Sequence, residues 1–144
     1  FRQITALVEK YGNAAARVII ENPYRLIEDI SGYGFKKVDV IARKAGSPKN
    51  SPKRIRAGTL YALDSALEDG HTLVGYHDLL DQAEKILILD DLDSRERIVK
   101  QLDDLIENND DIICHYRSTQ RFVTRRSMFE MEQSIAEILS LIHI

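Results

Sequence analysis

Two glycines one residue apart, Gly32 and Gly34, interrupt a stretch that otherwise has helical spacing. Before them, the run from Pro23 places Tyr24, Leu26, Ile27 and Ile30 where one face of a helix would be. After them, Lys36 to Ala45 carries Val38, Ile41 and Ala42 on one face. Glycine loses the most backbone freedom on ordering, so Ser31-Gly32-Tyr33-Gly34 predicts a turn rather than helix interior. The chain is therefore expected to fold two short helices back on each other through that turn.

The flanking segments extend this helical reading. Ile4, Leu7, Val8 and Tyr11 predict an N-terminal helix, Gly12-Asn13 a stop and restart, and Ala14–Glu21 a second short helix. Asn22-Pro23 reads as a helix start, with Asn capping orphan N–H groups and Pro at the first helical position. Turn formers are densest in Gly46-Ser47-Pro48-Lys49-Asn50-Ser51-Pro52, which places a module boundary there, between residues 1–50 and 51–144. No internal repeat is evident.

From Lys53, the residues Ile55, Leu60, Leu63 and Leu67 predict a long helix that stops at Gly70. His71–Val74 reads as a short extended segment, and Leu79, Leu80, Ala83 and Leu87 mark a helix after Tyr76. Ser94 is a candidate N-cap for the next helix, whose stripe is Ile98, Leu102, Leu105 and Ile106. Ile112–Arg117 and Arg121–Thr124 are β-prone around Ser118-Thr119-Gln120, which predicts a hairpin. A last helix carries Met128, Met131, Ile135, Ile138, Leu139 and Ile142. Helix, short strand, helix, helix, hairpin is the order of a winged-helix-like unit.

Composition sets the class. The chain has 144 residues, 44% hydrophobic and 30% charged, proportions of a globular protein. No apolar run is long enough to span a bilayer. A lone cysteine, Cys114, excludes an intramolecular disulfide and suits the cytoplasm. Phe1 is not Met and the last residues are mostly apolar, so the chain reads as part of a longer polypeptide.

The net charge of −3 hides an uneven distribution. Residues 36–61 hold eight bases against Asp39 alone, residues 62–111 hold fifteen acids against four bases, and residues 112–127 hold four arginines and no acid. Salt screens charges beyond about 10 Å, so a polyanion responds to the local blocks. The other readings of these blocks are solvated surfaces, or an arginine-rich hairpin paired to the acidic loops Asp90–Asp93 and Asn108–Asp111.

Chemistry concentrates at Ile30–Val38. A Gly-x-Gly turn between helices leaves backbone N–H groups facing outward and lets a phosphate approach without a side chain in the way. The following helix adds the positive end of its dipole, and Lys36 and Lys37 stand in its first turn. Such a device would grip the sugar-phosphate backbone without reading bases. A plain helix–helix turn is the other reading of the same residues. Arg43, Lys44, Lys53, Arg54 and Arg56 would add longer-range attraction, and Arg121, Arg125 and Arg126 form a basic wing. The candidate DNA-binding set is completed by Gly32, Tyr33 and Gly34. The second-module helix that would enter a groove is acidic, with Glu96, Asp103, Asp104 and Glu107, which disfavours base reading.

No catalytic pattern accompanies this. His71, His77, His115 and His143 lack metal-site spacing, and Asp103 and Asp104 are expected to be solvated. The chain has no Gly-x-x-x-x-Gly-Lys-Ser/Thr loop, so ATP hydrolysis is not expected of it.

The Ile30–Val38 pattern resembles a helix-hairpin-helix. Glu21–Leu26, Gly32–Ala42, Arg54–Gly58, Tyr61–Leu63 and Gly70–Thr72, in that order, resemble the N-terminal accessory region of bacterial RecD/TraA-type helicases. Similarity is good over roughly residues 5–90 and loose beyond. Tyr33 stands where the family usually carries a small aliphatic residue, and a ring there would partly shield the amides. The resemblance implies a parent that unwinds duplex DNA with ATP and Mg²⁺, moves 5′ to 3′ on one strand, and is sometimes labelled an exodeoxyribonuclease V alpha chain. It implies DNA and the motor domains of the same polypeptide as partners, with no membrane. The expected fold is mainly α, a helix-hairpin-helix bundle followed by a winged-helix-like module with a small β-hairpin. A protein-docking module, or a winged-helix transcription regulator, remains the alternative function.

Overall fold

The structure, a computed structural model, describes residues 2–142, with side chains from residue 5 onward. The chain divides into two compact units, Phe1–Gly58 and Thr59–Ile144. Elements in order are α1 (Arg2–Tyr11), a 3₁₀ turn (Gly12–Ala14), α2 (Ala15–Glu21), α3 (Arg25–Asp29), α4 (Phe35–Lys44), α5 (Pro52–Glu68), β1 (Val74–Gly75), α6 (Tyr76–Leu87), α7 (Ser94–Asn108), β2 (Ile112–Arg117), β3 (Gln120–Arg125) and α8 (Arg126–Ile142). The protein is mainly α, as expected.

In the first unit, α3 and α4 bury Leu26, Phe35, Val38 and Ala42, joined by Tyr24, Ile30 and Tyr33. Tyr24 and Phe35 stack with ring centroids 6.1 Å apart, tying the start of α3 to the start of α4. The expected helix start at Asn22-Pro23 shifts by two residues. Asn22 gives no side-chain cap, its Oδ1 is buried with no partner among the described residues, and Tyr24 is the N-cap. The backbone bonds Arg25 N–H to Asn22 O and Leu26 N–H to Pro23 O close a turn there instead. The expected stripe of α1 includes Ile4, whose side chain lies outside the described residues; Val8 is exposed and Leu7 half-buried.

α4 ends by the rule that glycine accepts a left-handed residue. Gly46 has φ +94°, its N–H donates to Arg43 O, and Ser47 N–H donates to Ala42 O. α5 ends the same way, with Gly70 at φ +98° and His71 N–H donating to Ala66 O.

In the second unit, β1, β3 and β2 form an antiparallel sheet in that spatial order. Val74 pairs with Val123 and Ile112 with Arg125. In chain order the unit runs α5, β1, α6, α7, β2, β3 and α8, which matches the expected sequence of elements. Leu79, Leu80, Ala83 and Leu87 of α6 and Ile98, Leu102 and Leu105 of α7 form the core with Val74, Ile112 and Val123. The hairpin turn is tighter than expected. Arg117 pairs directly with Gln120, and Ser118 takes φ +56°. α7 starts at Ser94, so Asp93 rather than Ser94 is its N-cap, and neither forms a side-chain cap bond. The apolar stripe of α8 has no buried residue: Met131, Ile135, Ile138, Leu139 and Ile142 are all exposed.

Candidate nucleic-acid interface

The turn between α3 and α4 is built by one left-handed residue. Gly32 has φ +87°, whereas Gly34 has φ −89° and ψ 172° and is the N-cap of α4. A Cβ at either position would meet nothing within 4 Å, so both glycines border open space. Among the described residues, no acceptor meets the backbone N–H of Gly32 or of Gly34. The first bond into α4 runs from Val38 N–H to Gly34 O at 3.1 Å. The turn thus presents unpaired amides beside the positive end of a ten-residue helix.

Tyr33 does not shield these amides. Its side chain is buried, and burial pushes its phenol up from the ordinary value. Its hydroxyl has no partner among the described residues. The Lys37 Nζ lies 4.8 Å from the centre of the Tyr33 ring, which holds one cation next to the turn. Lys36 is exposed. Of the candidate set, Gly32, Gly34, Lys36 and Lys37 come together, while Tyr33 can contribute only its backbone.

The longer-range cations do not join them as one patch. Arg43 and Lys44 close the last turn of α4, about 12 Å along the axis from Lys36 at 1.5 Å per residue. There they complement the negative helix end, and Arg43 Nη1 donates to Ser47 O at 2.6 Å. Lys53 Nζ donates to Glu21 O at 2.9 Å. Arg56 is exposed on α5.

Arg54 revises the expectation outright. It is 5% exposed, and its guanidinium donates to both Asp39 oxygens, at 2.9 and 3.1 Å, and to Lys49 O. Asp39 Oδ1 also accepts the Tyr24 hydroxyl at 2.6 Å. Burial, then this hydrogen bond and the Asp39 charge, push the Tyr24 phenol well above its ordinary value. Arg54 is therefore a brace of α4 against α5 and is not available to a phosphate. Tyr11 and Arg25 make a smaller version on Asp29, at 2.7 and 2.8 Å.

The wing is likewise engaged. Arg125 donates to both oxygens of Asp64, at 2.9 Å each, and to Asp111. Arg126 Nε donates to Asp110 O at 2.7 Å. Arg121 lies 3.7 Å from the centre of the Tyr76 ring. Of the readings open for these arginines, pairing with acidic groups is the arrangement found for Arg125. Asp103 is also not simply solvated, since it accepts the Tyr76 hydroxyl at 2.6 Å.

ATP and Mg²⁺, implied for the parent helicase, do not fit these residues. The Gly32–Gly34 turn lacks the Lys-Ser/Thr pair of a nucleotide loop. Among the described residues no group of three His, Cys, Asp or Glu side chains could hold a metal ion, and His143 lies outside them. No helix among the described residues is long and apolar enough to cross a membrane.

A turn of open amides between two short helices, with two lysines at its rim, is the geometry for which a helix-hairpin-helix is named. Residues 1–73, just over half of the chain, match the family profile of the ATP-dependent RecD2 DNA helicase HHH domain, and the chain belongs to that family.

Proposed function

We propose that the Gly32–Gly34 turn grips the sugar-phosphate backbone of DNA, with its amides receiving a phosphate oxygen and Lys36 and Lys37 neutralising charge. The observation that carries this reading is the pair of unpaired amides at Gly32 and Gly34, two exposed residues at which an added Cβ would meet nothing within 4 Å. Contacts of this type position DNA and read no sequence. The chain then serves an ATP-driven helicase as a non-catalytic accessory part, in a longer cytoplasmic protein that acts in DNA repair and recombination. Arg43, Lys44, Lys53 and Arg56 contribute a weaker field, because about one Debye length separates the first two from the turn.

Fluorescence anisotropy with labelled DNA tests this. Each phosphate contact contributes about −0.9 to the slope of log K against log salt on duplex DNA. Lys36→Glu with Lys37→Glu is expected to weaken binding at least tenfold and to flatten that slope by about two, equally for unrelated sequences. Unchanged affinity in the double variant would refute the grip.

A docking role beside it is favoured by α8, on which Ile135, Ile138 and Ile142 are all exposed. The motor domains of the same polypeptide are the partner proposed for that face. Protection of α8 from hydrogen exchange in the full-length helicase, and its absence in this chain alone, would support it. A regulator of winged-helix type is disfavoured by the acidic α7, where Glu96, Asp104 and Glu107 are exposed.

A further inference from the structure

The β2–β3 hairpin and the first residue of α8 hold four arginines, and the fold engages three of them unevenly. Arg125 and Arg126 are bonded to acidic groups or carbonyls at the base of the hairpin. Arg121 is stacked on Tyr76. Arg117, at the tip, is exposed and has no partner among the described residues. The preceding residue, Tyr116, is 63% exposed, unlike His115, whose ring packs 5.8 Å from Phe129.

An exposed aromatic ring one strand position from an unpaired guanidinium, the two leaving opposite faces of the hairpin tip, matches a strand that passes round that tip. A base can stack on the ring while the adjoining phosphate meets the cation. Tyr116 pairs across the strands with Arg121, so a second cation shares its face of the hairpin. No carboxylate occurs in the sequence between residues 112 and 127, and the nearby Asp103 carboxylate is bonded to the Tyr76 hydroxyl. The tip is otherwise Ser118, Thr119 and Gln120, which supply no apolar surround for a protein side chain. A duplex keeps its bases stacked inside, so the ligand must be unpaired.

We propose that the hairpin tip is a stacking site for single-stranded DNA, with Tyr116 taking a base and Arg117 a flanking phosphate. This site lies in the second unit and its chemistry is independent of the Gly32–Gly34 grip.

The test uses the full chain and a labelled thymidine oligonucleotide. Stacking on one aromatic is worth about 1–3 kcal/mol by alanine substitution, so Tyr116→Ala is expected to weaken single-strand binding roughly tenfold. Tyr116→Phe keeps the ring and is expected to bind within about twofold of the parent. Arg117→Ala is expected to lower the salt slope by about 0.7. Oligonucleotides carrying 5-iododeoxyuridine are expected to crosslink at Tyr116, which a merely structural tyrosine would not do. Unchanged affinity of Tyr116→Ala, equal losses on single strand and duplex, or crosslinks only elsewhere would each overturn the proposal. The Lys36→Glu, Lys37→Glu variant should retain the Tyr116 crosslink, so failure of the backbone grip and failure of the stacking site are read separately.

Discussion

Gly32 and Gly34 look alike in the sequence and do different things. Gly32 sits at φ +87°, where a β-carbon is strained whatever the space around it. Gly34 has an ordinary extended conformation, and a methyl group there would point into open space. Gly32→Ala is therefore expected to lower stability by about 1–2 kcal/mol, while Gly34→Ala changes it by less than about 0.5 kcal/mol. Urea denaturation followed by circular dichroism measures both. On the proposed grip, Gly34→Ala should still weaken DNA binding, because its methyl occupies the approach of the phosphate. Equal destabilisation by the two substitutions would contradict the assignment of the turn to Gly32. The glycine pair itself was legible from composition and spacing. The inward course of the Tyr33 ring was not, since neighbouring glycines say nothing about which side of the turn the core lies on.

Helices and hairpin were mostly legible because their signals are local. Schellman ends at Gly46 and Gly70 and the core positions of α6 and α7 follow from residues a few places apart. Apolar periodicity alone could not separate α7 from α8, although both carry a clear stripe. Leu102 of α7 is 1% exposed and Ile138 of α8 is 56% exposed. Leu102→Ala is expected to cost about 2–5 kcal/mol by transfer and cavity terms. Ile138→Ser is expected to cost less than about 0.5 kcal/mol in this chain, since no packed partner is lost. Thermal unfolding of the two variants decides the point, and a large loss from Ile138→Ser would place a partner on α8 within the chain itself.

Across the molecule, three hydrogen-bonded tyrosines link stability to pH. Burial, aided by Asp29 and Asp103 respectively, pushes the Tyr11 and Tyr76 phenols up to about 12 from 10.0, and Tyr24 moves in the same direction. The unfolded chain then releases these protons first, so it binds fewer protons than the native state above pH about 10. Their stabilising contribution is complete below that pH and is lost as pH rises toward the folded values. Tyr76→Phe, which cannot ionise, is expected to reduce the alkaline loss between pH about 10 and 12 in urea titrations. An unchanged alkaline limb would show that Tyr76 does not carry it.

The charge blocks display the same division between local and distant causes. Short-range order made the turn, the strand pairing and the basic stretches readable, because each depends on residues within a few positions and on steric preferences of the backbone. Availability of a cation depends on where a carboxylate arrives in space. Arg54 meets Asp39 across 15 positions and Arg125 meets Asp64 across 61, and only folding brings them together. Paired cations are withdrawn from a polyanion, whereas Lys36, Lys37 and Arg117 stay at the surface. Linear order therefore specifies the turn at Gly32–Gly34, and packing selects which of the surrounding charges stay unpaired.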